Sequence, residues 1–172
     1  MPCCGVSNAG ANRRDLGVVQ LLLNTGLRAG ELCALRWSDI KISDCKGMLV
    51  VRSGKGSKRR EIPLNKDARS ALLLLGYSDN VGKDTPVVVG QRGAVTVRGL
   101  QNILEKYKGD LENFSPHSLR HSFCKNLVDA GVGLEKVAAL AGHESLDTTR
   151  RYCQPSEYDL ACAVELIGEE ED

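Results

Sequence analysis

The chain has 172 residues, of which 42% are hydrophobic and 26% are charged, and its formal net charge is +1. These proportions are those of an ordinary globular protein, and they exclude a disordered or fibrous chain. The length fits one domain with a sizeable core. The small net charge excludes a protein that binds nucleic acid through overall charge alone.

No membrane span or secretory signal is predicted. The longest apolar stretch, residues 16–23, is much shorter than the roughly 20 residues that cross a bilayer. The N-terminus lacks the cationic segment, apolar run and small-residue cleavage site of a secretory signal. We therefore expect a cytoplasmic protein with no membrane partner.

The cysteines show no pattern that predicts a disulfide framework or a zinc site. There are seven of them, an odd number, and they lack paired CxxC spacing. We interpret them as reduced thiols that pack as small apolar side chains. No metal is predicted, because the usual ligand spacing is missing.

The first half of the chain predicts two helices behind a short lead-in. Residues 1–14 lack periodicity and are predicted to be a disordered lead-in or a remnant of cloning, so the fold is expected to begin at Asp15. Apolar spacing predicts a buried helix from Asp15 to Asn24. Thr25-Gly26 breaks it, and a second helix is predicted from Ala29 to Arg36.

A β-hairpin with a cationic connection is predicted next. Met48 to Arg52 and Arg60 to Leu64 have the composition of strands, and Gly54-Lys55-Gly56 forms the turn between them. The run RSGKGSKRR, from Arg52 to Arg60, carries five cations and no acidic residue, whereas residues 168–172 form an acidic tail. The hairpin is therefore expected to face anions.

Helices dominate the rest of the prediction. Ser115 is a predicted N-cap followed by Pro116, with an apolar stripe at Leu119, Phe123 and Leu127. The further predicted helices are Asn65 to Leu75, Val97 to Lys108, Leu134 to Ala141, Glu144 to Tyr152 and Ser156 to Ile167. The fold class predicted from this order is α+β, mainly α-helical, with a small antiparallel β-sheet.

A few polar residues are candidates for chemistry. Each alone has an ordinary structural explanation, but His117 and Arg120 are three residues apart and would share one helix face. An imidazole and a guanidinium on one face can address the same anion. The full candidate set outlines a phosphate site and comprises Arg28, Lys55, His117, Arg120, His143 and Tyr152.

Four segments resemble the tyrosine recombinase (phage integrase) family in sequence and in order. TGLRAGELCALRWSDI (25–40) is similar to the first signature of the family, with Arg28 at its arginine position. GKGSKRR (54–60) resembles its lysine hairpin, HSLRH (117–121) its HxxR motif, and AGHESLDTTRRY (141–152) its LGH…TxxxY motif. The resemblance implies a tyrosine recombinase catalytic domain over residues 15–172, similar to Xer-type and conjugative-element integrases.

The resemblance also implies a role for each candidate. Arg28 and Arg120 would clamp the nonbridging oxygens of a phosphodiester that is attacked in line. Tyr152 would be the nucleophile that forms a 3′-phosphotyrosine, so that no ATP, metal or other cofactor is needed. His143 would donate a hydrogen bond to the phosphate, His117 would help with the tyrosine proton, and Lys55 would protonate the departing 5′ oxygen.

Other residues are expected to assist. Glu31, three residues after Arg28 on the same helix face, is predicted to orient that arginine by an ion pair. Phosphates of the DNA backbone are the expected contacts of the remaining hairpin cations, which are Arg52, Lys58, Arg59 and Arg60.

The expected partner is a double-stranded DNA recombination site. The resemblance implies a tetramer of protomers on DNA that exchange their C-terminal helices, here Ser156 to Ile167, and a monomer without DNA. Members of the family carry an N-terminal core-binding domain, which residues 1–14 cannot supply, so a truncated protein is expected. Ala141 also stands where the family usually has leucine.

Two alternatives stay open at this point. One is a type IB topoisomerase-like enzyme, which shares the chemistry but relaxes supercoils, although the GLRxGEL wording at residues 26–32 favours a recombinase. The other is a regulator on the same fold that binds DNA without catalysis. Loss of catalysis should have removed at least one of the six polar candidates, yet all are present.

Overall fold

The computed structural model describes residues 12–43, 45–52, 59–78, 80–90, 93–143, 145–153, 160–161 and 164–165. The helices are α1 (Arg13–Thr25), α2 (Ala29–Ala34), α3 (Lys66–Leu74), α4 (Val97–Glu105), α5 (Pro116–Asp129), α6 (Leu134–Ala141) and α7 (Leu146–Arg150). The strands are β1 (Ile40–Ile42), β2 (Gly47–Val51), β3 (Arg60–Pro63), β4 (Val89–Gly90) and β5 (Gly93–Ala94). The predicted fold class, mainly helical α+β with a small antiparallel sheet, is confirmed.

Helix α1 lies at the centre of the helical core, packed mainly on α3 and α5. It buries three aliphatic side chains completely, Val18, Leu21 and Leu22. The side chain of Asn12 caps its first turn, so the helix begins at Arg13 and not at the predicted Asp15. Gly26 ends it with φ 61°, and a Cβ there would lie 2.3 Å from the ring of Phe123 in α5. This glycine therefore lets α5 approach the start of α2.

The main sheet has three antiparallel strands in the order β1-β2-β3. The predicted hairpin pairing is present, with Leu49 opposite Ile62 and Val51 opposite Arg60. Strand β1 was not predicted. It pairs Ile40 with Leu49 and follows a 3₁₀ turn, Trp37–Asp39. The sheet buries its aliphatic face in the same core as α1 and places the base of the hairpin beside α2 and α6.

Helices α5 and α6 form a smaller cluster next to the main core. As predicted, Ser115 caps α5 and Pro116 occupies its first turn. This arrangement turns Phe123 and Cys124 inward against α6. Helix α6 ends at Gly142, which has φ 70° and ψ 48°. The turn at Gly142 directs the chain toward α7 and the 3₁₀ turn Arg151–Cys153.

Several boundaries differ from the prediction. The helix expected from Glu144 to Tyr152 is the shorter α7 followed by the 3₁₀ turn, and the helix expected to reach Lys108 ends at Glu105. Arg36, predicted as helical, lies outside α2 and makes an isolated bridge to Pro86. The hairpin β4-β5 was missed. Of the predicted last helix, 160–161 and 164–165 are helical, and the rest lies outside the described residues.

Three further findings concern membrane-spanning helices, metal-ligating groups and cysteines in the described residues. Within the described ranges, no helix is both long and apolar enough to cross a membrane. No group of metal-ligating side chains occurs in this part of the chain. Cys33, Cys45 and Cys124 are free cysteines.

Candidate active site

The starts of α2 and α5 and the turn after α6 enclose a cleft of about 470 Å³. Four of the six catalytic candidates line it, although they are far apart in sequence: Arg28, His117, Arg120 and His143. Ala29, Gln101, Ser115, Pro116 and Thr148 complete the lining. Two guanidinium groups and two imidazoles therefore converge on one open space.

Arg120 has the most constrained position of the four. Its side chain comes from the buried face of α5, and the residue is 5% exposed. Nη1 donates to the carbonyl of Gly26 at 2.6 Å, whereas Nη2 is buried and has no hydrogen-bond partner among the described residues. Burial, and then the charge of Arg28, lower the pKa of Arg120 below its ordinary value. A buried donor without an acceptor is costly, so an anion in the cleft would stabilise this arrangement.

Arg28 stands at the N-terminal end of α2 and is the more exposed of the two arginines. Its side chain is 42% exposed, and Nη1 lies 3.3 Å from Oε1 of Glu31. Its backbone N–H donates to Oε2 of the same carboxylate at 2.8 Å. Nη2 donates to the carbonyl of Gly142 at 2.8 Å. The guanidinium is thus held by α2 and by the turn that carries His143.

Glu31 lies beside Arg28, as the ion-pair hypothesis requires, and it also binds a second arginine. Burial alone would raise the pKa of Glu31. Hydrogen bonds from Arg60 and from the Arg28 backbone, with the charges of both arginines, outweigh burial and lower this pKa below its ordinary value. The carboxylate is therefore ionised at neutral pH and is a partner of the arginines, not a proton donor.

Arg60 does not occupy the position predicted for it. Its side chain is 8% exposed, and it donates to both carboxylate oxygens of Glu31, at 2.8 and 2.7 Å. Nε donates to the carbonyl of Leu140 at 3.0 Å. The guanidinium is thus bonded within the protein. The structure gives no support to the prediction that Arg60 contacts the DNA backbone.

Of the other hairpin cations, two lie at the surface and two lie outside the described residues. Arg52 has a side chain that is 62% exposed; it pairs with Asp39 and donates to Ser38 Oγ at 2.9 Å. Arg59 has a side chain that is 68% exposed and lies 3.3 Å from Glu61. Both can still meet a phosphate. Two candidates lie outside the described residues, Lys55 and Lys58.

His143 follows Gly142, which has a left-handed backbone conformation, and one ring nitrogen of His143 contacts a side chain of the protein. Its Nδ1 is 2.8 Å from the hydroxyl of Thr149, which is completely buried. Burial, followed by the charges of Arg120, Arg28 and Arg60, lowers the pKa of His143 from 6.5 to about 4. The imidazole is therefore neutral at physiological pH. When Thr149 donates to Nδ1, the ring proton resides on Nε2, which is then a hydrogen-bond donor.

Tyr152 is close to this group but does not line the cleft within the described part of the chain. Its ring stacks on His143 with centroids 6.2 Å apart and meets His121 edge-on at 4.8 Å. Its side chain packs in the same cluster as the buried Cys124. Burial and Cys124 raise the pKa of Tyr152 above its ordinary value. The phenol is therefore protonated at neutral pH.

Residues 6–158 match the model of a known protein family, which is described as the phage integrase family. The chain belongs to the phage integrase family. The resemblance inferred from the four motifs is thereby confirmed. The matched residues include every candidate catalytic residue.

Curated relatives in this family include tyrosine recombinases. The chain is 35% identical over 166 residues to tyrosine recombinase XerC of Thermodesulfovibrio yellowstonii, a match that covers 90% of this chain and 53% of the relative. It is 36% identical over 152 residues to XerC of Syntrophus aciditrophicus, covering 81% and 48%. The chain spans about half the length of these relatives.

Solved structures show the same fold. The crystal structure of XerA recombinase matches with a TM-score of 0.72 and 24% identity, over 100% of this chain and 67% of that one. The integrase of transposon Tn1549, in complex with transposon right end DNA, matches with a TM-score of 0.70 and 22% identity, over 92% and 60%. XerH bound to its difH substrate matches with a TM-score of 0.68 and 24% identity, over 88% of this chain and 45% of that one.

Proposed function

We propose that this chain is the catalytic domain of a site-specific DNA recombinase, which cuts and rejoins strands through a 3′-phosphotyrosine at Tyr152. The observation that carries the proposal is the buried Arg120, which lines a cleft with Arg28, His117 and His143 and whose Nη2 has no partner in the described part of the chain. Membership of the phage integrase family supports it.

The cleft is suited to a phosphodiester. Two guanidinium groups supply fixed positive charge and forked donors for nonbridging oxygens, and Nη2 of Arg120 has no acceptor among the described residues. Such donors stabilise the charge that develops on these oxygens when the phosphorus is attacked. A neutral His143 adds a donor through Nε2 while Thr149 holds its other nitrogen. The phosphate is thus bound by groups that do not need to rearrange during the reaction.

Strand cleavage follows from attack by the phenol. The oxygen of Tyr152 forms a bond to phosphorus, and the bond from phosphorus to the 5′ oxygen breaks. His117, which lines the cleft, assists in removing the phenolic proton, and Lys55 gives a proton to the departing oxygen. A 5′ hydroxyl then reverses the step on the same or another strand. Because the phosphotyrosine conserves the energy of the broken bond, rejoining needs no cofactor.

On this proposal, Tyr152 moves before it attacks. Its side chain packs in the cluster that contains Cys124, a completely buried residue of α5, and does not line the cleft formed by the described residues. The short 3₁₀ turn Arg151–Cys153 carries the tyrosine and connects to residues beyond the described range. On this proposal, DNA binding or a neighbouring copy shifts this turn and delivers the phenol to the phosphate.

The proposed partner is a double-stranded recombination site, bound in the cytoplasm. Backbone contacts come from the exposed arginines Arg52 and Arg59 and from Lys58. The helical segment near the C-terminus exposes Leu160 and Val164, four residues apart, at 53% and 68%. An apolar pair on one face suits insertion into a second copy. We propose a monomer without DNA that assembles into a tetramer on DNA by exchanging this segment.

The test uses nicked duplexes tiled from the DNA that flanks the gene, with covalent protein–DNA adducts measured after denaturation. Replacement of Arg120 by alanine should slow adduct formation about 100-fold or more, because one charge-stabilising donor is lost. Arg28→Ala should behave likewise. Arg69, a half-buried arginine bonded to the Leu64 carbonyl outside the cleft, gives the control Arg69→Ala. Equal rates in all three variants would refute the phosphate cleft.

A further inference from the structure

The buried arginine of the hairpin, Arg60, lies at the junction of the elements that build the cleft. Strand β3 alternates inward and outward residues, and Arg60 and Ile62 both point inward. The guanidinium uses Nε, Nη1 and Nη2 in hydrogen bonds at 2.7 to 3.0 Å, two to Glu31 and one to the carbonyl of Leu140. A planar fork satisfied on three nitrogens holds its neighbours in a single geometry.

Through Glu31, this side chain determines where Arg28 lies. The same two carboxylate oxygens that accept from Arg60 also contact Arg28, one its Nη1 at 3.3 Å and the other its backbone N–H at 2.8 Å. If Arg60 were absent, the carboxylate would be free to rotate toward solvent or toward Arg28 alone. Arg28, which lines the cleft, is therefore linked through Glu31 to a residue that does not line it.

Arg60 also touches the turn that carries His143. Its Nε donates to the carbonyl of Leu140, in the last turn of α6. Its guanidinium packs on Gly142 so closely that a Cβ there would lie 2.7 Å from Nη1. Arg28 donates to the carbonyl of this same glycine at 2.8 Å. Arg60, Glu31, Arg28 and Gly142 thus form a closed ring of contacts behind the cleft.

We propose that Arg60 is a positioning residue, which fixes Arg28 and His143 relative to each other and ties the base of the β2–β3 hairpin to the phosphate cleft. The inference rests on the proposed function and adds a residue to it that contacts neither the phosphate nor the attacking tyrosine. Lys55, the proposed general acid, lies five residues before Arg60 in the same hairpin. The hairpin and the two phosphate-binding groups then share one anchor.

The variant Arg60→Lys tests this role, because it keeps the charge but loses the fork. We expect single-turnover cleavage of a nicked duplex to fall about 10- to 100-fold, the effect of a small misplacement of reacting groups. Noncovalent DNA affinity should change less than about threefold, since Arg60 is buried and its charge, which the lysine keeps, is paired with Glu31. Arg69→Lys, which replaces a half-buried arginine outside the cleft, is the matched control and should leave both values unchanged.

Two further readouts separate positioning from a purely structural contribution. The imidazole signal of His143, followed by NMR, should shift in Arg60→Lys, and affinity for inorganic phosphate should weaken. The Glu31→Gln and Arg60→Lys effects on cleavage should be strongly non-additive, because both residues act through one contact. All measurements are made well below the unfolding midpoint of the least stable variant.

The outcomes discriminate between the two claims. If Arg60→Lys is less stable but cleaves DNA, binds phosphate and shows a His143 signal as the parent chain does, the residue is structural only and the inference is wrong. If the parent chain forms no DNA adduct at all, the proposed function fails. The His143 signal and the phosphate affinity then still decide whether Arg60 positions the cleft.

Discussion

At the scale of single residues, three side chains of the candidate site have protonation states set by their surroundings: His143, Glu31 and Tyr152. His143 is neutral at physiological pH, because burial and nearby arginines lower its pKa. Glu31 is ionised, because its contacts with Arg60 and Arg28 outweigh burial and lower its pKa. Tyr152 is protonated, because burial and Cys124 raise its pKa. The proposed nucleophile is therefore protonated in this state, whereas His143, a proposed phosphate ligand, is already neutral.

The low pKa of His143 predicts an acid-sensitive fold. The unfolded chain takes up a proton near pH 6.5, whereas the folded chain excludes it until about pH 4. As pH falls through this window, the unfolded state gains protons and the free energy of unfolding decreases. His143→Gln should flatten the decline, measured as the unfolding midpoint at several pH values. The control His121→Gln keeps His143 and should retain the slope; an unchanged slope in His143→Gln would contradict the pKa argument.

The sequence predicts residue types well but misses some placements. The motifs identify Arg28, His117, Arg120 and His143, and the structure brings these four to one cleft. They gave no sign that Cys124 contacts Tyr152, because that contact depends on how α5 packs on the 3₁₀ turn. The burial of Arg60 did have a signal, since strand alternation places it on the face of Ile62. The prediction gave more weight to the cationic run from Arg52 to Arg60 than to this alternation, and it therefore expected Arg60 to contact DNA.

At the scale of elements, long periodic segments are predicted well and short ones are not. Helix α5 was found through its Ser115 cap, Pro116 and apolar stripe, all of which are local signals. Strands β1, β4 and β5 have two or three residues each and pair with neighbouring segments of the chain. Such strands are too short to show the alternation over roughly four to eight residues that predicts a strand. The end of α6 combines a local signal with a tertiary contact. Gly142 is a local stop signal for the helix, and it also packs against the guanidinium of Arg60.

Gly142→Ala should be more damaging than an ordinary glycine replacement. An alanine at φ 70° is strained by about 1–2 kcal/mol, and its Cβ would also displace the guanidinium of Arg60. Gly131 is the matched control, because it has φ 77° and no atom within 4 Å of the position of a Cβ. Urea unfolding should show the larger loss of stability in Gly142→Ala, with loss of cleavage only in that variant. Equal losses in both would show that the contact with Arg60 carries no energy.

At the scale of the whole molecule, assembly on DNA is proposed to depend on the exposed apolar pair near the C-terminus. Leu160→Ser with Val164→Ser should weaken higher-order complexes on DNA without altering the sedimentation of the free chain, since both residues are exposed. Leu73 is 62% exposed on α3 and provides the control Leu73→Ser. Sedimentation with DNA measures the effect. Normal assembly of the double variant would exclude this segment from the interface.

The central claim is that Tyr152 becomes covalently linked to DNA. The most direct measurement incubates the chain with a nicked duplex from its recombination site and identifies the peptide that carries a nucleotide by mass spectrometry. We predict the nucleotide on Tyr152, no adduct with Tyr152→Phe, and an undiminished adduct with Tyr158→Phe, six residues further along the chain. An adduct that persists in Tyr152→Phe, or one mapped to another residue, would contradict the account.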